Sequence, residues 1–219
     1  MRAIIFANGN APDRFTAARG LDPADVIIAA DGGSRNALSI DVMPQIVIGD
    51  LDSIDDADRH RLEEAGAQFI VYPTDKDYTD LELAIRYALE QGATEIIVFS
   101  ALGGRWDQSL ANLMLLTLPE LDGVLTRIID HDLSICAIRR EAEINGRVGD
   151  TLSLIALKDD ARGVTIEGCQ YPLNNAVLPF GATLGISNVL LAPTAKVGVK
   201  EGIVLAIHTL SNESKEVVL

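Results

Sequence analysis

The sequence predicts two domains of different class, an α/β domain with a parallel sheet followed by an antiparallel β-rich domain. In the first half, short β-branched runs alternate with segments of helical spacing, which is typical of a three-layer parallel sheet with helices on both faces. From about Thr126, alternating runs such as SICAIRR and GIVLAIHTL, punctuated by Gly, Asn and Pro, predict a β-sandwich or barrel. The change of texture divides the chain into domains 1–123 and 124–219.

The predicted elements of the first domain are five strands and the helices between them. The strands are expected at 3–6, 26–29, 46–48, 69–72 and 96–99, and the helices around 12–19, 33–40, 55–66 and 79–91. A further helix is expected from Asp107 or Gln108 to about Pro119. Its helical spacing predicts that Leu110, Leu113, Met114 and Leu118 face the core.

The helix at 79–91 has a defined start. Thr79 and Glu82 fit a capping box, in which a hydroxyl and a carboxylate satisfy backbone N–H groups at the helix start. Asp80 then lies in the first turn, close to the positive end of the helix dipole. In the simplest interpretation, Asp80 stabilises that dipole by about 0.3–1 kcal/mol and does nothing else.

Composition excludes several classes of function. The 219 residues carry a net charge of −14 without a cluster of Lys or Arg, which disfavours a nucleic-acid partner. No apolar run approaches the ~20 residues that a membrane-spanning helix needs. The opening MRAIIFANGN is predicted to be the first strand and not a signal peptide. Cys136 and Cys169 are expected to be free thiols, as in a cytoplasmic protein.

Acidic residues follow the ends of the predicted strands. They are Asp31 in IIAADGG, Asp50 and Asp52 in IVIGDLDS, the group Asp75, Asp77 and Asp80 in YPTDKDYTD, and Asp107 in FSALGGRWDQ. In parallel sheets, ligands bind beyond the carboxyl ends of the strands, so these acids are expected at one edge. Because carboxylates repel one another, the arrangement favours a positive ligand, and Mg²⁺ carrying a polyphosphate fits it. The sequence therefore predicts an enzyme of phosphoryl-type transfer.

The motif GDLDS is the sharpest of these signals. Asp50 and Asp52 are two residues apart, so in an extended chain both carboxylates point to one side. Gly49 is expected to let the backbone approach a ligand closely. Asp50, Asp52 and Asp80 are predicted to hold the metal. The alternative for GDLDS is a plain strand end followed by an Asp/Ser turn.

Other residues of these loops are candidates for contact with phosphate. Arg105 offers a planar donor, and Lys76 offers a compact charge that alternatively only offsets its acidic neighbours. Asp31 and Gly32 belong to a strand-to-helix loop of the kind that binds phosphate. The turn NGN around Gly9 is a weak signal that does not fit P-loop spacing.

These segments together resemble the thiamine pyrophosphokinase family. The resemblance covers essentially the whole chain in DGGSRNAL, VIGDLDSI, DKDYTDLELAI, ALGGRWDQSLANL, EGCQYPLNN and FGATLGISN. It implies an α/β domain joined to a β-rich domain, and a homodimer with a site shared between subunits. It also implies Mg²⁺-dependent transfer of the pyrophosphoryl group of ATP to the hydroxyl of thiamine, with release of AMP.

The resemblance extends to individual residues. It assigns Asp50 and Asp52 to magnesium and polyphosphate, Asp77, Thr79 and Asp80 to a second acidic motif, Arg105, Asp107 and Gln108 to a third, and Tyr171, Ser187 and Asn188 to thiamine. Lys76 departs from family members that carry glutamine there, and the tyrosine ring at 171 replaces a tryptophan of some members. Without the resemblance, LGISN reads as a turn between strands.

The expected site therefore has three groups of residues. The catalytic residues are Asp50, Asp52, Asp80, Arg105 and Asp107; the ATP-binding residues are Asp31, Gly32, Gly49, Lys76, Asp77, Thr79, Arg105 and Gln108; the thiamine-binding residues are Tyr171, Ser187 and Asn188. The sequence does not choose between Asp80 and Asp107 as proton acceptor. Two alternatives remain, a pyrophosphokinase for another alcohol such as a hydroxymethylpterin and a non-catalytic nucleotide-binding module.

Overall fold

The structure is a computed structural model that describes residues 1–14 and 21–211. Its chain divides into two compact units, Met1–His131 and Asp132–Leu219, and the division falls a few residues beyond the predicted boundary near residue 123. Most of the helix predicted at 12–19 lies outside the described residues.

A parallel sheet forms the centre of the first unit. Its strands are β1 (Arg2–Phe6), β2 (Val26–Ala30), β3 (Ile46–Gly49), β4 (Gln68–Val71), β5 (Glu95–Phe99) and β6 (Leu125–Asp130), in the order β4-β3-β2-β1-β5-β6. Every neighbouring pair is parallel. The five predicted strands are confirmed to within one or two residues at their ends.

The sixth strand corrects the sequence prediction. Residues after 123 were expected to belong to the antiparallel domain, but β6 pairs in parallel with β5 in the first unit. Its residues alternate between exposed and less exposed positions, unlike the fully buried runs of β1 and β5. Such alternation is also typical of a half-buried antiparallel strand, which explains the error.

The inner strands are buried because helices cover the sheet. The helices are α1 (Gly33–Ser39), α2 (Asp56–Glu64), α3 (Asp80–Glu90) and α4 (Trp106–Leu115), with a short 3₁₀ helix at Pro119–Leu121. Phe6 and Phe99 stack on neighbouring strands with ring centroids 5.4 Å apart. Continuous apolar strands such as AIIF and EIIVF therefore form the core, as is usual for a parallel sheet.

Helix α3 begins where the sequence predicts. The Thr79 hydroxyl oxygen accepts a hydrogen bond from the Glu82 backbone N–H at 3.2 Å, which confirms the cap. The Glu82 carboxylate accepts from Arg86 Nε at 3.0 Å and not from the Thr79 backbone N–H, so the second half of the predicted capping box is not formed. Leu81 and Ile85 are buried, and this apolar face fixes the helix against the sheet.

The predicted inward face of α4 is wrong for Leu110 and Met114, whereas Leu113 and Leu118 are half-buried. Leu110 and Met114 are 57% and 40% exposed in this structure, whereas Ser109 and Asn112 are buried. Asn112 Nδ2 donates to the Ala101 carbonyl at 2.7 Å. The helix therefore turns polar side chains toward the backbone of the preceding loop, an interaction that apolar periodicity does not reveal.

The second unit is an antiparallel, strand-rich region, as predicted. It contains β7 (Leu133–Ile138), β8 (Glu141–Asn145), β9 (Thr151–Glu167), β10 (Leu173–Leu178), β11 (Asn188–Val189), β12 (Thr194–Gly198) and β13 (Glu201–Thr209). The path is β7-β13-β9-β12-β8, and β10 and β11 also pair with β9. Leu152, Leu154, Val164 and Ile166 of β9 line its core. Cys136 and Cys169 are not joined by a disulfide, as predicted.

Among the described residues, no helix is long and apolar enough to cross a membrane.

Candidate active site

A cleft of 740 Å³ lies at the carboxyl edge of the parallel sheet in the first unit. Its walls come from the loops that follow β1, β2, β3, β4 and β5, and from the start of α4. Parallel strands deliver their carboxyl ends to the same edge, so residues distant in sequence meet there. The cleft is the expected ligand position of such a sheet.

Three carboxylates form the acidic centre of this cleft. Asp31, Asp50 and Asp52 each place one oxygen within 4.8 Å of the others. Asp31 is 5% exposed, and its Oδ1 atom has no hydrogen-bond partner among the described residues. A buried carboxylate oxygen without a donor is costly unless a ligand satisfies it. The donor set and the unpaired oxygen both fit a hard divalent cation such as Mg²⁺.

Gly49 allows the acidic side chains to approach one another. A Cβ atom at this position would lie 2.8 Å from Asp31 Cβ and 3.2 Å from Asp80 Cγ. The space that glycine leaves is therefore filled by two acidic side chains of the protein. This is a more specific role than the close approach to a ligand that the sequence predicts.

Lys76 lies between two of the acids. Its Nζ atom is 2.9 Å from Asp80 Oδ1 and 3.4 Å from Asp50 Oδ2. Burial lowers the pKa of Lys76, but Asp80 and Asp50 outweigh that effect and the net pKa is raised. For Asp50, burial is outweighed by the Asp52 backbone N–H and by Lys76, and the pKa is lowered.

Asp80 differs from Asp50 in its electrostatic environment. Its burial raises the pKa, Lys76 lowers it, and the nearby Asp31 and Asp50 raise it again, so the net shift is upward. A carboxyl with a raised pKa is a better proton acceptor than an ordinary exposed aspartate.

Arg105 and Asp107 form an exposed pair at the start of α4. Arg105 Nε donates to Asp107 Oδ1 at 2.9 Å. This hydrogen bond, more than any other cause, lowers the pKa of Asp107 to about 2. Asp107 is therefore a weak base. Arg105 is part of the cleft wall, and Asp107 is not.

Amide side chains hold the loops of the cleft in place. Asn36 Nδ2 donates to the carbonyls of Ala7 and Gly9 at 2.8 and 3.2 Å. At Gly9 a Cβ atom would lie 2.3 Å from the Leu102 carbonyl oxygen, so this position requires glycine. The Gly9 N–H donates to the Ser100 carbonyl, which joins the loops after β1 and β5.

Comparison with known proteins identifies the family. The sequence model described as "Thiamin pyrophosphokinase, catalytic domain" matches residues 17–124, and "Thiamin pyrophosphokinase, vitamin B1 binding domain" matches residues 136–204. A thiamine pyrophosphokinase of Bacillus subtilis is 34% identical over 187 residues, which are 83% of this chain and 86% of that protein.

The chain belongs to the thiamine pyrophosphokinase family.

Solved structures of this family share the fold. Thiamine pyrophosphokinase from Bacillus subtilis superposes with a TM-score of 0.85 at 31% identity, covering 96% of this chain and all of that one. The thiamin pyrophosphokinase from Geobacillus thermodenitrificans gives a TM-score of 0.83 at 26% identity, covering 98% of this chain and all of that one.

The structure brings most of the predicted residues of the thiamine pyrophosphokinase motifs into the cleft. Its walls include Asp31, Asp50, Asp52, Lys76, Thr79, Asp80, Arg105 and Gln108. Gly32, Gly49, Asp77 and Asp107 are not among the wall residues. Gly32 instead makes room for the Asn8 side chain, whose Nδ2 atom would lie 2.4 Å from a Cβ there.

Sequence reasoning missed several wall residues. Asn8 and Asn10 lie in the NGN turn after β1, and Ser109 and Asn112 lie on α4. The signal that could have located Asn8 and Asn10 is a glycine turn directly after a strand. For α4, no sequence signal separated a polar inner face from a solvent-facing one.

The second unit holds the residues that the thiamine pyrophosphokinase resemblance assigns to thiamine. Asn188 is buried, and its side chain bonds the backbone of Tyr171 twice, accepting from N–H at 2.9 Å and donating to C=O at 2.8 Å. The Tyr171 ring is 62% exposed. The Ser187 backbone has a positive φ of 60° and its N–H donates to Ser153 Oγ. Asn188 therefore positions Tyr171.

Proposed function

We propose that this protein is an ATP-dependent thiamine pyrophosphokinase. It transfers the pyrophosphoryl group of ATP to the hydroxyl of thiamine, which yields thiamine diphosphate and AMP. The observation that carries the proposal is the acidic cluster of Asp31, Asp50 and Asp52 in a sheet-edge cleft of a family member. The first unit binds ATP and carries out the reaction, and the second binds thiamine.

The acidic cluster is proposed to hold Mg²⁺. Asp50 and Asp52 supply carboxylate oxygens, and Asp31 adds an oxygen that no described residue satisfies. Asp80 borders the cluster across Gly49. When bound, the ion neutralises charge on the polyphosphate and orients it.

The remaining residues of the cleft align the polyphosphate. Arg105 and Lys76 are cationic side chains in its walls, and Thr79 and Gln108 add polar groups. Asp77, Gly32 and Gly49 belong to the loops that carry these groups. In phosphoryl-type transfer the protein contributes mainly alignment and charge neutralisation, and the described residues of the cleft wall include no cysteine.

The reaction moves one proton. The thiamine oxygen bonds to the β-phosphorus of ATP, the bond from that phosphorus to the α,β-bridging oxygen breaks, and AMP leaves with that oxygen. The hydroxyl proton passes to a carboxylate. Asp80 suits this role better than Asp107, because Asp80 lies in the cleft with a raised pKa and Asp107 is paired with Arg105.

Thiamine is proposed to bind at the second unit through Tyr171, Ser187 and Asn188. The exposed Tyr171 ring offers a face to the cationic thiazolium, worth about 0.5–2 kcal/mol. Asn188 fixes the backbone that carries this ring. The Ser187 hydroxyl is the polar group of the same loop.

A homodimer in the cytoplasm is part of the proposal. Exposed large apolar side chains of the second unit, Phe180, Leu184, Ile186 and Leu191, are suited to burial against another copy. Cys136 and Cys169, which are not joined by a disulfide, agree with a reducing compartment. Sedimentation velocity at several protein concentrations measures the oligomeric state, and a monomer at all of them contradicts a shared site.

The decisive experiment incubates the purified protein with ATP, Mg²⁺ and thiamine and separates the products. Thiamine diphosphate and AMP in equal amounts are expected. ADP, or AMP without thiamine diphosphate, contradicts the proposal. ATP binding without any AMP indicates a nucleotide-binding module, and preferential use of a hydroxymethylpterin in competition with thiamine indicates a different pyrophosphokinase.

A further inference from the structure

Lys76 places its ammonium beside a carboxylate that the proposed metal ion also needs. Its side chain is 12% exposed, and its ammonium lies 2.9 Å from Asp80 Oδ1 and 3.4 Å from Asp50 Oδ2. Asp50 also belongs to the cluster with Asp31 and Asp52. One carboxylate therefore serves both the lysine and the proposed metal position.

This sharing has an electrostatic consequence. The ammonium offsets part of the negative charge that attracts a divalent ion, and it repels an ion placed on the other side of Asp50. The effect is strong here because both partners of Lys76 are largely withdrawn from solvent. Among the described wall residues, Arg105 is the other cationic side chain, and it pairs with Asp107 outside the acidic cluster.

The lysine side chain also has another possible partner. Its stem is flexible, and it leaves from the loop directly before α3, within the wall of the same cleft. A polyphosphate in the cleft brings several negative oxygens within reach of such a side chain. Those oxygens pair with the Lys76 ammonium when a metal ion binds Asp50.

We propose that Lys76 is an internal counter-cation that competes with the divalent ion for Asp50 and passes to the polyphosphate when metal and nucleotide bind together. The inference rests on the proposed function, since it assumes the metal position at Asp50 and Asp52. It predicts that the protein binds free metal weakly and binds it tightly only with nucleotide. Lys76 is thus a positioning residue for metal uptake.

The test is a titration of nucleotide-free protein with Mn²⁺, followed by the electron paramagnetic resonance signal of the free ion. Lys76→Gln is expected to bind Mn²⁺ about tenfold more tightly than the parent, which corresponds to about 1.4 kcal/mol. Lys196→Gln is the matched control, because it removes the same charge from an exposed pair with Glu143 in the second unit. Its Mn²⁺ affinity should equal that of the parent.

A second titration adds α,β-methylene-ATP, which lacks the bridging oxygen that the reaction cleaves. With the analogue present, the Mn²⁺ affinity of Lys76→Gln is expected to exceed that of the parent by less than about twofold, or to be lower. The reason is that the parent then gains a lysine–phosphate contact. Equal or weaker binding of free Mn²⁺ by Lys76→Gln overturns the inference. An undiminished advantage in the presence of the analogue also overturns it.

Two further variants separate this inference from the proposed function. Lys76→Arg keeps the charge and is expected to bind free Mn²⁺ as weakly as the parent. This variant tests the inference if Lys76→Gln does not fold. Tighter binding of free Mn²⁺ by Lys76→Arg contradicts the inference. Asp52→Asn is expected to weaken Mn²⁺ binding both in the parent protein and in the Lys76→Gln variant. If Asp52→Asn changes nothing, the proposed metal position is wrong; if only Lys76→Gln changes nothing, the role of Lys76 is wrong.

Discussion

Both units of this protein bury aspartates, and two of these, Asp150 and Asp31, have opposite surroundings. In the second unit, Asp150 accepts from the backbone N–H groups of Arg147 and Ser211 at 2.8 and 2.9 Å, and its Oδ2 lies 3.0 Å from His208 Nε2. In the first unit, Asp31 leaves Oδ1 without a donor among the described residues.

The difference distinguishes a buried carboxylate that stabilises the fold from one that is buried to bind a ligand. A buried carboxylate with several donors contributes to stability, because removing it leaves those donors unpaired. A buried carboxylate without donors and beside other acids costs stability, and a site that binds a cation explains its presence. A buried aspartate thus indicates a stability role at Asp150 and a binding role at Asp31.

The largest expected effect concerns the acidic cluster. Asp52→Asn keeps the size of the side chain but removes a charge from the cluster, so we expect turnover to fall at least about a hundredfold. AMP production at saturating ATP and thiamine measures the change. Circular dichroism and a thermal melt matching the parent must accompany it, and an unchanged rate would remove Asp52 from the site.

A comparison of Asp150 and Asp31 by chemical denaturation is expected to give opposite results. Asp150→Ala should lower the free energy of unfolding by about 2–4 kcal/mol, because two backbone N–H groups and His208 lose their acceptor. Asp31→Asn should change it by less than about 0.5 kcal/mol or increase it, since repulsion among the acids is relieved. Equal losses of unfolding free energy in both variants would contradict a stabilising role for Asp150 and a binding role for Asp31.

A smaller effect is expected in the second unit. Tyr171→Ala should raise the KM for thiamine about tenfold with little change in kcat, because the ring contributes to binding and not to the transferred group. Tyr171→Phe keeps the aromatic face and should retain most of the affinity. A loss in kcat alone would place Tyr171 in a different role.

The smallest effect is expected at Asp107. Its pKa of about 2 keeps it ionised throughout the neutral range, so Asp107→Asn should change kcat by less than about threefold and leave the pH–rate profile unaltered. The folded pKa is depressed from 3.8, so any stability from the Arg105 pair is complete above pH 3.8 and is lost as pH falls through about 2. A large loss of kcat would make Asp107 the proton acceptor in place of Asp80.

Local sequence patterns predicted the elements that depend on local physics. The β-branched runs predicted the first five strands, and Thr79 predicted the start of α3 through its cap. GDLDS predicted that Asp50 and Asp52 share one side of the chain, and the structure brings an oxygen of each within 4.8 Å. Such signals work because strand alternation and helix capping are set by neighbours in sequence.

The remaining features depend on residues that are distant in sequence. Whether Ser109 or Leu110 faces inward is decided by the polar loop that α4 packs on. Asp31 joins Asp50 because β2 and β3 are neighbours, and Gly49 matters because two acidic side chains occupy its vacant Cβ position. The link from Asn188 to Tyr171 joins the two ends of a segment that contains β10 and the turns after it, and no periodicity predicts such a link.

The long strand β9 has a consequence for synthesis of the chain on the ribosome. Its pairing partners β10 to β13 all come later in the sequence, and β7 also depends on β13. The parallel sheet is complete once Asp130 has emerged, whereas the second unit lacks the central partner of β9 until Thr209 is translated. We expect the nascent chain to expose the apolar faces of β7 and β9 during that interval, when chaperone contact would be most useful.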